Sequence, residues 1–194
     1  MEAIAAPFTY NTSLVSQKAY DYHLTLYHGY ISKTNEITQK LAADPDMASA
    51  NATYSTYRAL KRGESFALDG VILHELYFQN LSKGETSIGH HTEKLIEKYF
   101  DTVDKWKAEF TASALSARGW CILVYEQRTQ NFRNVVLDSH DDGLVCGSYP
   151  LLVLDMYEHA YFIDYGTDKA KYISKFLELV NWDIVERRCA RLVD

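Results

Sequence analysis

Toward the C-terminal end of the chain Asp155 and His159 stand four residues apart, directly behind a proline-led apolar run, Pro150-Leu-Leu-Val-Leu154. The run has the composition of a short strand buried on both faces, and it stops at a carboxylate. A helical turn starting at Asp155 would bring both polar groups to one face, a turn apart. Beside an apolar layer they need a partner, because an unpaired carboxylate is costly to desolvate. A hydrogen bond between them would serve, and so would a metal ion. Two further histidines lie in stretches apolar enough to bury them, His74 within residues 66–78 and His23 within residues 19–31. Three neutral imidazoles and one carboxylate suit a redox-active first-row ion and leave a position open for solvent or substrate.

These four residues must be carried by separate elements. Residues 16–41 read as one long helix, with Ser16 able to cap its start and Asp44-Pro45-Asp46 ending it. Residues 47–62 read as a more polar helix, punctuated by Gly63-Glu64-Ser65 before the apolar helix that bears His74. Two helices joined by a short connection pack as an antiparallel hairpin, which would set His23 against His74. The turn-rich segment 81–89 is the best linker, dividing the chain into residues 1–84 and 85–194. Helical patterns resume at 92–99 and 103–115. The period then changes to that of strands at 120–125, 132–137 and 149–154, before two last helices at 169–179 and 182–189. The expected class is α+β: an N-terminal antiparallel helical hairpin, then a C-terminal domain with a small three-stranded antiparallel sheet flanked by helices.

Composition narrows the functions. The 194 residues are 47% apolar and 24% charged, as in an ordinary soluble globular protein. A net charge of −6 argues against a nucleic-acid partner, but not against an anionic substrate, whose approach depends on the local field. Cys121, Cys146 and Cys189 are odd in number and lack metal-type spacing, so they read as reduced packing residues. The first residues show no basic region followed by an apolar core, and no apolar run approaches bilayer length. No membrane association is expected, and a cytoplasmic location is the default.

The segment Asp155-Met-Tyr-Glu-His159-Ala-Tyr161 resembles the Asp-x-Trp-Glu-His-Ala-Tyr signature of the iron/manganese superoxide dismutases, with Tyr157 in place of the tryptophan. Phe100-Asp-Thr-Val-Asp-Lys-Trp-Lys107, Gly119-Trp120, Pro150-Leu-Leu152 and Val180-Asn-Trp182 follow in family order and spacing, so the resemblance spans nearly the whole chain. It implies four ligands to one Fe or Mn ion per chain. His23 and His74 would come one from each hairpin helix, and Asp155 and His159 from the C-terminal domain. Trp120 matches a tryptophan lining the family's pocket, while Phe78 and Tyr157 stand where the family has tryptophan.

The family pattern His-His-x-x-His-His-x-x-Tyr combines a ligand with a substrate gate. An ungapped count from Ser16 makes His23 the ligand, puts Tyr27 at the gate histidine and puts Ile31 at the gate tyrosine. A shift of one makes Tyr30 the gate but puts Tyr22 at the ligand, so the gate is Tyr27, or Tyr30 if it bends inward. Allowing one deletion, His140 falls where manganese-type enzymes place a glutamine that hydrogen-bonds solvent on the metal. Iron-type enzymes usually send that glutamine from the position held here by Gly70. His140 equally reads as an exposed loop residue. In the family, the glutamate matching Glu158 bonds the ligand histidine of the opposite subunit, which implies a homodimer or homotetramer, and Lys169 matches a basic residue at the funnel mouth.

The activity implied is disproportionation of the superoxide anion by valence cycling of the ion, which zinc cannot perform. Two other readings stand beside it. One is a protein of the same fold whose altered gate and wall residues leave it a binding or structural role. The other is a hydrolase using water on zinc.

Overall fold

The computed structural model describes residues 3–192. Helix α1 (Gln17–Ala42) starts at Ser16, whose side chain accepts from the Ala19 amide and satisfies one of the free donors of the first turn. Helix α2 (Thr56–Gln79) is capped in the same way by Ser55, which accepts from Arg58. The second helix therefore does not begin near residue 47, nor does it break at Gly63-Glu64-Ser65. Residues 43–55 form an irregular connection, and the helix runs unbroken through the glycine. Gly63 is there because the two helices approach closely: a Cβ on it would lie 3.1 Å from Ile37 Cδ1 of α1. Two helices of 26 and 24 residues thus pack as the expected hairpin.

After the loop that follows α2 come α3 (His90–Phe100) and α4 (Val103–Ser116), and then the sheet. Strands β1 (Trp120–Glu126), β2 (Asn131–Leu137) and β3 (Ser148–Asp155) form an antiparallel sheet in the order β2-β1-β3. Register pairs Trp120 with Leu137 on one side and with Asp155 on the other, so an indole and a carboxylate share one end of the sheet. The β1–β3 register shifts between Leu123 and Val124, where the partner strand carries Pro150 and lacks an amide hydrogen. Residues 151–155 of β3 are all buried, as the continuous apolar run requires of a strand covered on both faces.

Three short helices follow where two were expected: α5 (Glu158–Tyr165) precedes the anticipated α6 (Lys169–Glu178) and α7 (Trp182–Ala190). The C-terminus of α2 is pinned to this half. Asn80, fully buried, accepts from the Val153 amide of β3 at 3.0 Å, and its carbonyl accepts from Asn181 at 2.8 Å. Arg188 of α7 donates to the carbonyls of Leu151 (2.7 Å) and Leu76 (3.3 Å) and to the side chains of Gln79 and Asn80. Burial lowers the Arg188 guanidinium to about 10. A cation at this helix C-terminus meets its free carbonyls and the negative end of its dipole. The anchoring holds α2 against β3, and both elements carry site residues. Cys121 and Cys189 are buried and Cys146 is exposed, all three as free thiols.

Candidate metal centre

Four polar side chains from four elements meet where the hairpin touches the sheet. His23 lies on α1 and His74 on α2, Asp155 ends β3, and His159 sits in the first turn of α5. Asp155 and His159 do not share a helix face. The strand continues through Asp155, whose Oδ1 then accepts from the Tyr157 amide at 2.9 Å, and α5 begins only at Glu158. That tight turn brings His159 back over the carboxylate.

All three imidazoles aim Nε2 at a single oxygen. Asp155 Oδ2 lies 3.1 Å from His23, 3.2 Å from His159 and 3.8 Å from His74, and the four donor atoms all fall within 4.8 Å of one another. Donors bonded to one ion at about 2.1 Å stand about 3 Å apart at right angles and about 4 Å apart when opposite, and the three separations from Asp155 Oδ2 fall within that range. His74 sharpens the fit. Its Nδ1–H donates to the Gly70 carbonyl at 2.5 Å, which leaves the Nε2 lone pair, buried and without a hydrogen-bond partner, directed at the centre. An orphaned buried acceptor beside a carboxylate is what a cation would satisfy.

The electrostatics agree. Burial pushes His23 down and takes His74 to about 3, so both rings are held neutral and available as ligands. Burial alone would raise the Asp155 carboxyl, but the adjoining His159 and His23 rings outweigh it and hold the group well below the usual carboxylate range. For His159 burial works downward, and the Asp155 carboxylate beside it wins and raises the ring. The backbone carbonyl of Asp155 accepts from the Tyr172 hydroxyl at 3.0 Å, and that hydroxyl lies 3.0 Å from Tyr77 Oη. His23 is 2% exposed and His74 and Asp155 are 0%, whereas His159 is 27% exposed, so the cluster opens toward solvent on the His159 side.

An aromatic wall encloses the cluster. Trp120 meets His74 edge-on at 5.0 Å between centroids, Tyr157 stacks on His159 at 5.3 Å, and Phe78 packs on His23 at 5.0 Å. The tyrosines of α1 divide. Tyr30 lies 5.2 Å from the His74 ring and places its hydroxyl 2.7 Å from His140 Nε2. Tyr27 is wholly buried, and its hydroxyl donates to Glu75 at 2.6 Å and accepts from the Ala6 amide at 2.9 Å. Ile31 packs on the core and has no hydroxyl to offer. Two helical turns separate His23 from Tyr30, so those two share a face, while Ile31 is rotated away.

His140 is buried, not an exposed loop residue. The Trp120 Nε1–H, a donor only, points at His140 Nδ1 at 2.9 Å, which fixes the remaining proton on Nε2 and makes that atom the donor to the Tyr30 oxygen. Its neighbour Asp141 is tied to α2, accepting from Ser65 at 3.1 Å and pairing with Arg62 at 3.2 Å. Glu158 is exposed at the start of α5, and the Lys169 ammonium lies 6.0 Å over the Tyr161 ring. Sequence reasoning overlooked Glu75, Tyr172 and Asp141. Only a three-dimensional neighbour distinguishes them from other polar residues of a helix or loop.

A family profile described as iron/manganese superoxide dismutases, C-terminal domain, matches residues 88–188. Across more of the chain, the manganese superoxide dismutase 2 of Haloferax volcanii is 34% identical over 183 residues, covering 93% of this chain and 89% of the relative. The iron superoxide dismutase of Aquifex aeolicus is 41% identical over 167 residues (84% and 78%), and that of Cupriavidus metallidurans 35% identical over 185 residues (94% and 91%).

Proposed function

The chain belongs to the iron/manganese superoxide dismutases, and from that premise we propose that it converts two superoxide anions and two protons to dioxygen and hydrogen peroxide. The observation that carries this reading is the convergence of three imidazole nitrogens and one carboxylate oxygen within 4.8 Å, one of them an orphaned buried acceptor. His23, His74, Asp155 and His159 would hold one Fe or Mn ion. The chemistry such an ion supplies when bound is one-electron exchange between its trivalent and divalent states.

The protein's own groups do the rest. A single carboxylate among three neutral rings would leave a trivalent ion held there with net positive charge, which would draw an anion inward. Trp120, Phe78 and Tyr157 exclude bulk water around the ligands, which strengthens every electrostatic interaction within. Peroxide formation consumes protons, and Tyr30 is the residue placed to manage one. Its oxygen accepts from His140 Nε2–H, so its own hydrogen is free to point at a group in the pocket. Trp120 holds His140 in the tautomer that makes this possible. Burial and the Asp155 charge raise the Tyr30 phenol, so it stays protonated at neutral pH.

Tyr27, by contrast, bonds away from the centre and serves in the wall. Residues 1–84 would form the unit carrying His23 and His74, and residues 85–194 the unit carrying Asp155 and His159. Glu158 would bond the ligand histidine of a second copy in a homodimer or homotetramer. Among the described residues no helix is long and apolar enough to cross a membrane, and a cytoplasmic site is the proposed location. The reading is tested by stripping the metal and reloading separately with Fe, Mn and Zn. Dismutase activity should return with Fe or Mn and not with Zn; activity with none of the three would leave only the non-catalytic reading.

A further inference from the structure

We propose that Gly70 is a positioning residue: the side chain it lacks is the space in which Tyr30 reaches the site. Gly70 lies inside the 24-residue helix α2, far from either end. Glycine there costs about 1 kcal/mol relative to alanine through backbone entropy, and its φ is not in the left-handed region that would require it. The reason lies across the hairpin. A Cβ on Gly70 would sit 2.8 Å from Tyr30 Cδ1, 2.9 Å from Cγ and 3.2 Å from Cε1. These atoms form the base of the ring, where a bond rotation gives little relief.

The ring is also held from its other sides. Phe66 lies 6.1 Å away between centroids, His74 5.2 Å and His140 4.7 Å, and the hydroxyl is bonded to His140 Nε2. A methyl group at position 70 would push the ring along α1 and separate Tyr30 Oη from His140. Gly70 has a second tie to the centre, since its carbonyl accepts from His74 Nδ1. The substitution leaves that backbone acceptor in place, so the effect is directed at Tyr30 and not at the ligand.

The steric claim is tested on metal-free protein by a double-mutant cycle in thermal stability. Gly70→Ala should lower Tm in the native background and in Tyr30→Phe, which keeps the ring. In Tyr30→Ala, where the ring is gone, the same change should raise Tm, because only the helix-propensity gain remains. A shift of the same sign in all three backgrounds overturns the proposal. A structure of Gly70→Ala decides independently of whether Tyr30→Ala folds: Tyr30 Oη and His140 Nε2 beyond 3.5 Å supports the proposal, and an unchanged hydrogen bond refutes it. The activity arm alone rests on the dismutase reading. Metal-loaded Gly70→Ala should lose turnover by the same factor as Tyr30→Phe, about tenfold if one hydrogen bond is at stake. If the stability cycle inverts while turnover is unchanged, the spacing role of Gly70 stands and the proton role of Tyr30 falls.

Discussion

The four side chains that would hold the ion and the layer just outside them are built on different principles. The inner group is over-determined: each side chain comes from a different element, three are almost wholly buried, and the three imidazoles aim at one carboxylate oxygen. The outer group is held by neighbours that lie outside the cluster. Tyr30 depends on His140 and on the gap at Gly70, His140 on Trp120 and on a neighbour tied to α2, and Tyr27 on Glu75. Metal retention should therefore be insensitive to the outer layer, and turnover should be sensitive to it. An enzyme built this way can vary its gate while keeping its ion.

The largest break in this contrast comes from the inner group. His74→Ala should lower bound metal by on the order of a hundredfold or more, since even partners that only orient a ligand are worth about 10–100-fold, and dismutase activity should vanish with it. Elemental analysis beside a superoxide assay checks both. Next come Tyr30→Phe and Trp120→Phe, expected to leave one metal per chain but to cut turnover by about tenfold each. Trp120→Phe removes the donor that fixes the His140 tautomer, so the double variant should lose little more than either single one. Additive losses would show that the indole and the phenol act separately.

A smaller effect is expected at Asp141. Asp141→Asn weakens its pairing with Arg62 and should reduce turnover by only about two- to fivefold, in line with a partly exposed ion pair. Its metal content should be normal. At the far end of the scale, Tyr27→Phe should leave both turnover and metal content near native. It strands the Ala6 amide and the Glu75 carboxylate, at a cost of about 1–2 kcal/mol in denaturant unfolding. If Tyr27→Phe instead abolished turnover at full stability, the division of labour between the two tyrosines would be reversed.

The inner group was legible in the sequence because its residue types are chemically odd for where they sit. An aspartate ending a doubly buried strand, and histidines inside apolar helices, demand a partner whatever the fold. The strands and helices α3, α4, α6 and α7 also followed from period, whereas the eight-residue α5 was too short to stand out as a helix of its own. The start of α2 did not. Residues 47–54 are polar enough for a helix surface but offer no apolar stripe, and Gly63, which looks like a stop, is a close contact with Ile37. The turn between Asp155 and His159 was misread for a similar reason: spacing of four fits a helix, yet strand pairing with Trp120 claims the aspartate first. The outer layer was least legible. Which hydroxyl turns toward the cluster, that of Tyr27 or that of Tyr30, depends on Glu75 and Gly70, which lie on another helix and leave no mark in the spacing along α1.

The claim on which all of this depends is that one redox-active ion is shared by His23, His74, Asp155 and His159. Anomalous diffraction at the Fe and Mn absorption edges, from crystals of protein purified without added metal, tests it directly. The account requires one Fe or Mn peak per chain, at about 2 Å from the three Nε2 atoms and from Asp155 Oδ2. Zinc in that position, or a peak bound elsewhere while the four side chains stay hydrogen-bonded to one another, would contradict it.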